Sequence, residues 1–244
     1  MYKYEELDYD DPSNEDQTKC PNKCSSKRYT VIVNIYVFFI LLLMVAILTL
    51  VISLFVSSNQ KQCIILGGDG IVLGFPYNSS PYRYIINFNT TIMQANYVNY
   101  ISTSGSNGCN TCKYFRNDPY GYDTLKDSDY RRTGYDRGHL VPNADYGADT
   151  YVINNVVPMN PYFNRRIWAK SENYIRNNYA GYNIYKGCKY LGKFEFVVDV
   201  KKLYLVEGCY YVVLDLNNYL IDYGYYGNNE DSSREDELPY WISC

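Results

Sequence analysis

A single histidine, His139, is present in this chain of 244 residues. That scarcity excludes a metal centre built from several imidazoles, and it leaves one side chain whose ordinary pKa lies near neutral pH. A basic excess is missing as well. Lys and Arg number 23 against 26 Asp and Glu, a formal net charge of −3, so any attraction for a polyanion has to be local. No second Cys-x-x-Cys accompanies Cys109 and Cys112, which argues against zinc and favours a structural bridge. Internal repeats and low-complexity stretches are also absent beyond residue 57, which excludes a solenoid.

One long apolar run is there. From Ile35 to Val56 the chain reads IYVFFILLLMVAILTLVISLFV, uncharged, with Thr49 and Ser53 as mild interruptions. About 20 apolar residues cross a hydrocarbon core, and a buried helix is seldom apolar on every side for that length. A cleaved signal would have a shorter run nearer the terminus. The expectation is a transmembrane helix over 31–56, behind a disordered cytoplasmic tail over 1–30 that is polar, acidic and poor in core formers. Lys19, Lys23, Lys27 and Arg28 precede the run, and only Lys61 lies close behind it. Basic residues stay cytoplasmic, so the reading is a single-pass type II protein whose long C-terminal part is lumenal or extracellular. A secretory membrane, a cell surface and a viral envelope all suit it.

Cys63, Cys109, Cys112, Cys188, Cys209 and Cys244 follow the run. An even set in an oxidising compartment suits three disulfides, with the pairing left open. Asn78-Ser79-Ser80 and Asn89-Thr90-Thr91 are glycosylation sequons on the same side.

Residues 57–244 have the length of one domain. Alternating β-branched and aromatic runs predict strands at Tyr82–Phe88, Tyr97–Thr103, Tyr151–Val157, Phe194–Val200, Tyr210–Leu216 and Tyr219–Tyr223. Phe163, Ile167, Tyr174 and Ile175 recur on one face and predict a helix from Pro161 to about Tyr179, ended at Gly181. The fold class expected is α+β with an antiparallel sheet core. The charged stretch Asn228–Leu238 reads as a surface loop.

The positive charge that the whole chain lacks gathers around the histidine. Between 131 and 176, Arg131, Arg132, Arg137, Arg165, Arg166, Lys170 and Arg176 outnumber Asp136, Asp145, Asp149 and Glu172. Such a patch draws phosphodiester backbones. Asn164, Trp168 and Glu172 fall at i, i+4 and i+8 of the predicted helix, so an amide oxygen and a carboxylate project from neighbouring directions. Oxygen donors of that kind, completed by water, suit Mg²⁺.

Tyr135-Asp136-Arg137-Gly138-His139, with Pro142, resembles the DRGH motif of the DNA/RNA non-specific endonucleases. That family includes secreted bacterial nucleases and mitochondrial endonuclease G, and belongs to the ββα-metal (His-Me finger) superfamily. The lead-in Tyr130-Arg131-Arg132-Thr133-Gly134 is similar too. Asn155-Val156-Val157-Pro158 resembles the family's N-x-x-P-Q element, and Asn164, Trp168 and Glu172 match its N-x3-W-x3-E helix. The resemblance covers about residues 65–225 and is strongest over 130–176.

The resemblance implies a ββα-metal finger within 57–244 and sequence-nonspecific hydrolysis of DNA and RNA with Mg²⁺, or another divalent cation such as Mn²⁺. It makes His139 the general base and Asn164 the direct metal ligand, and has Glu172 orient the metal's waters. Asn155 would position the histidine or the phosphate, and Arg137 would bring positive charge to the phosphate. Asp136 would brace the finger and Trp168 would pack in the core. Dimers occur in the family, which makes a homodimer one expectation. Met159 departs from the usual Gln, and Arg165-Arg166 replace small or polar residues. The first departure motivates the alternative of a catalytically inactive nucleic-acid-binding or surface module with the same fold.

Overall fold

In the computed structural model, residues 22–59, 61–67, 69–105, 108–196, 201–228, 234–235 and 238–244 are described. The chain divides into two compact units, one ending at Asn59 and the other running from Gln60 to Cys244.

Among the described residues the first unit is a single helix, α1, Asn22–Asn59. Its stretch Asn34–Leu54 has a mean hydropathy of 3.2 and no buried residue, so it is long and apolar enough to cross a membrane. The helix begins at Asn22, within the stretch expected as a tail. Once the apolar segment has paid the cost of nucleation, extension into flanking Lys, Arg and Ser is cheap. Residues 1–21, the rest of the expected tail, lie outside the described residues.

The second unit is α+β. Its strands are β1 Ile64–Ile65, β2 Ile71–Phe75, β3 Tyr84–Asn89, β4 Gln94–Ile101, β5 Asp136–His139 and β6 Val156–Met159, then β7 Asn183–Phe196, β8 Lys202–Leu214, β9 Leu220–Gly227, β10 Arg234–Glu235 and β11 Ile242–Ser243. Seven of them form one antiparallel sheet in the order β10-β9-β8-β7-β4-β3-β2. β1 pairs with β11, and β5 with β6, as separate two-stranded ribbons.

The centre of the sheet is covered on both faces. Along β8, Tyr211 and Val213 join one buried cluster while Val212 and Leu214 join another, built around Trp241. That split follows from the period of two in a strand, which sends neighbours to opposite faces. On β7, Ile184, Lys186 and Cys188 are buried in phase with one another. A third cluster, with Phe115, Leu125, Tyr130, Ile153, Val156 and Leu203, lies under the chain that leads into β5.

The cysteines pair as Cys63–Cys244, Cys109–Cys112 and Cys188–Cys209. The first ties the β1–β11 ribbon, the second closes a tight loop, and the third joins directly opposed residues of β7 and β8. Asn78 of the first sequon is exposed. Asn89 of the second is committed, its side-chain oxygen accepting from the Thr91 and Ile92 N–H groups.

Most predicted strands fall on β3, β4, β7, β8 and β9 with shifted ends; residues 197–200 lie outside the described residues. Tyr151–Val157 is corrected. Ile153–Asn155 form a 3-10 turn, and β6 starts only at Val156. The Asn155 side chain is the reason, since it bonds the backbone on either side of the intervening loop. Within the expected surface loop, Arg234–Glu235 pair with β9.

Candidate active site

β5 carries the DRGH residues and runs antiparallel to β6, with His139 opposite Val156 and Gly138 opposite Val157. A Cβ at Gly138 would overlap the Met159 side chain, so any larger residue here forces Met159 to shift. Met159 itself is wholly buried. The residue that departs from the family pattern therefore packs beneath the hairpin and does not face solvent.

Residues 161–178 follow β6 as one helical stretch. Its first part, Phe163–Trp168, is a π-helical turn, in which the Ala169 N–H donates to the Asn164 carbonyl five residues back; α2, Ala169–Asn178, continues from it. Turns of this kind gather at functional sites. Two hydrogen bonds fasten the turn to the hairpin. Asn164 Nδ2 donates to Asp136 Oδ2 at 3.0 Å, and Trp168 Nε1 donates to the His139 carbonyl at 2.9 Å. Arg165 adds a two-pronged ion pair to the same Asp136 carboxylate, at 2.7 Å on each prong. Burial acts to raise the Asp136 carboxyl, but the Arg165 and Asn164 hydrogen bonds outweigh it and hold it below its usual range.

His139 and Arg137, two apart on β5, both meet Phe115. The His139 ring lies 4.9 Å from Phe115 and 4.9 Å from Tyr151, centroid to centroid. The Arg137 guanidinium sits 5.4 Å over the Phe115 ring and ion-pairs with Asp127. His139 Nε2 is shielded and has no hydrogen-bond partner among the described residues, so Nδ1 is the nitrogen left to reach water. Burial lowers the His139 pKa to about 4, with help from the charges of Arg137 and Lys186. The imidazole is held neutral near pH 7. A cavity of about 200 Å³ opens beside Arg137, lined by Tyr114, Asp127, Tyr130, Arg131 and Tyr135.

Asn155 is fully buried and its side chain is spent on backbone. Its oxygen accepts from the Val141 N–H at 2.9 Å, and its nitrogen donates to the Val141 and Thr150 carbonyls, each at 3.0 Å. It holds the turn that leaves His139 and offers no polar atom to a substrate.

Glu172 lies on α2 with Oε1 buried and without a hydrogen-bond partner among the described residues. Lys186 Nζ, wholly buried on β7, stands 3.6 Å from that oxygen. Burial pushes the Glu172 carboxyl up, and the neighbouring Lys186 and Arg176 charges oppose the push. Burial likewise pulls the Lys186 ammonium down, against the attraction of Glu172 and Asp145. Arg176 and Asp145, 3.5 Å apart, complete two acids and two bases in one buried group.

Asp136, His139, Asn164 and Trp168 are thus joined directly, and Glu172 through Lys186. Asn155 stands apart beneath them. Sequence reasoning missed Phe115, Asp127, Tyr151 and Lys186. The signal for Lys186 is weak but present, a lysine in phase with Ile184 and Cys188 on a strand. Among the described residues no three of His, Cys, Asp or Glu cluster as ion ligands.

A family model described as DNA/RNA non-specific endonuclease matches residues 67–239. A nuclease of Nostoc sp. is 29% identical over 136 residues, covering 52% of this chain and 43% of its own length. Mitochondrial endonuclease G of Bos taurus is 32% identical over 89 residues, covering 33% of this chain and 30% of its own length. The chain therefore spans less than half the length of these relatives. A crystal structure of an EndoG/EndoGI complex aligns with a TM-score of 0.49 at 21% identity, covering 62% of this chain and 74% of that one.

Proposed function

This chain belongs to the DNA/RNA non-specific endonuclease family, and on that premise we propose that it is a membrane-anchored, metal-dependent nuclease that hydrolyses phosphodiester bonds of DNA and RNA. One observation carries the reading: a histidine held neutral on a strand that two side chains of the next helix, Asn164 and Trp168, fasten in place.

The donor set fits a divalent cation. Asn164 uses its amide nitrogen on Asp136, which leaves the oxygen, and Glu172 brings a carboxylate whose Oε1 ion-pairs with Lys186 and has no hydrogen-bond partner among the described residues. One or two hard oxygen ligands with water completing the shell is the pattern Mg²⁺ prefers, and Mn²⁺ accepts it. Asn164 would hold the ion directly and Glu172 would hold its waters. Bound there, the cation would neutralise charge at the phosphate and stabilise the departing oxygen.

The chain's own groups do the rest. His139 takes the proton of the attacking water at Nδ1. Arg137, fixed by Asp127 and Phe115, presents positive charge to the phosphate. Asn155 acts at one remove by setting the turn after His139. Contacts confined to the backbone carry no base sequence, which makes cleavage nonspecific.

Asn34–Leu54 anchors the chain in a type II orientation, with the nuclease unit and its three disulfides on the lumenal or extracellular side. A homodimer, as found in the family, is the assembly to look for by light scattering. Binding without turnover is disfavoured by the burial of Met159, which takes away the structural motive for a damaged site.

The test uses the full chain in detergent micelles. Plasmid and RNA should be degraded with Mg²⁺ and spared with EDTA, and His139→Ala should lower the rate about 10²–10⁴-fold. Digestion that persists unchanged in His139→Ala, in fold-checked protein, would refute the assignment.

A further inference from the structure

Lys186 has no part in the chemistry above, and its surroundings are unusual for a lysine. Its side chain is wholly buried, on the face of β7 that also carries Ile184 and Cys188. Its Nζ has no hydrogen-bond partner among the described residues. Burying an ammonium in that state is costly, and an apolar residue of the same length would serve a core as well or better. What Lys186 does touch is informative. Glu172 Oε1 lies 3.6 Å from Nζ, and the Trp168 ring lies beneath it at 4.7 Å, with Tyr100 at 5.9 Å. Trp168 in turn donates to the His139 carbonyl.

We propose that Lys186 is a positioning residue, whose buried charge sets Glu172 and Trp168 in register. Its hold on Oε1 orients the Glu172 carboxylate and leaves Oε2 for the waters of a divalent cation. Its hold on the indole face steadies the ring that fixes His139. The cation side and the base side of the site are thereby referred to one atom on the central sheet. The nearby Asp145–Arg176 pair keeps the group balanced, so the ammonium is not neutralised twice over. This rests on the reading of Glu172 as the residue that holds the metal's waters.

Mg²⁺ is titrated against the full-length chain in detergent micelles and followed by the shift in melting temperature, with kcat and KM on plasmid measured separately. Lys186→Met, close in length but uncharged, should bind Mg²⁺ at least tenfold more weakly and lose kcat, with KM for plasmid within twofold. Lys186→Arg should recover part of the Mg²⁺ affinity. In a Glu172→Gln background, Lys186→Met should cause no further loss. That last comparison also covers a Lys186→Met protein that fails to fold, because the double variant removes both buried charges together. Wild-type Mg²⁺ affinity in Lys186→Met, or an equal loss with and without Glu172, would overturn the proposal alone. An unchanged titration in Glu172→Gln would overturn the reading of Glu172 and the proposal with it.

Discussion

The turn beneath His139 and the helix beside it both bury polar side chains, and their hydrogen-bond accounts are opposite. Asn155 is completely enclosed, and both its oxygen and its nitrogen are bonded to backbone. Glu172 and Lys186 face each other at 3.6 Å with Oε1 and Nζ unsatisfied by any hydrogen bond among the described residues. A buried polar group with its bonds complete stabilises a shape, whereas one left incomplete is a standing cost. The first is what a scaffold contains. The second is what a site keeps when something else is meant to complete it. Two residues named by two different family elements thus separate into a brace with its bonds complete and a group left open to a ligand.

The largest effect is expected at the brace. Asn155→Ala removes three hydrogen bonds and strands their backbone partners in the interior. At about 1 kcal/mol for each bond, a loss of about 3 kcal/mol is expected in chemical denaturation. The surviving folded protein should keep most of its Mg²⁺ affinity. A variant that is stable but has lost Mg²⁺ affinity would place Asn155 among the working groups instead. Gly138→Ala should cost about 1–3 kcal/mol, since the new methyl meets Met159 in a filled core. If that clash is the cause, a Gly138→Ala/Met159→Ala double variant will lose less than the sum of the two. Trp168→Phe keeps most of the packing and deletes only the donor to the His139 carbonyl. About 1 kcal/mol of stability should go with it, and kcat should fall while KM holds.

How far each region could be read from the chain follows the same division. Asp136, His139, Asn164, Trp168 and Glu172 lie within one 40-residue stretch as roughly spaced letters, and the strand and helix that hold them are local structures. The long apolar run and the later strands were legible for the same reason, since period and composition act over neighbouring residues. Lys186 left only a weak trace, its phase with Ile184 and Cys188, because the pairing of β4, β7 and β8 is what brings it under the helix. Phe115 and Tyr151 reach His139 from loops whose course no periodicity records. The strand expected at Tyr151–Val157 failed through one side chain: Asn155 ties its residues into a turn, and β-propensity yields to that tertiary contact. Beneath the hairpin, Met159 looked like a defect in a motif and is instead the filling that matches Gly138.

The smallest effect expected is a near absence of change, and it bears most directly on His139. An imidazole with the ordinary pKa of 6.5 would be mostly protonated at pH 5, and kcat/KM would fall about thirtyfold below its plateau. With the pKa lowered to about 4 by burial, then by Arg137 and Lys186, kcat/KM at pH 5 should stay within about twofold of its value at pH 7. Stability moves differently. The folded pKa lies below the unfolded one, so protons bind the unfolded chain more tightly; this contribution is whole above 6.5 and is lost as pH falls toward 4. Between those values the enzyme should therefore keep its rate while losing stability, a separation that a pH series of rate and denaturation midpoint would reveal. Arg137→Gln should move the acid limb of kcat/KM upward, by less than burial moves it down, because burial is the larger cause. An acid limb that stays near 6.5 in the wild type would mean that the ring is open to water, and that the aromatic notch of Phe115 and Tyr151 does not set the base.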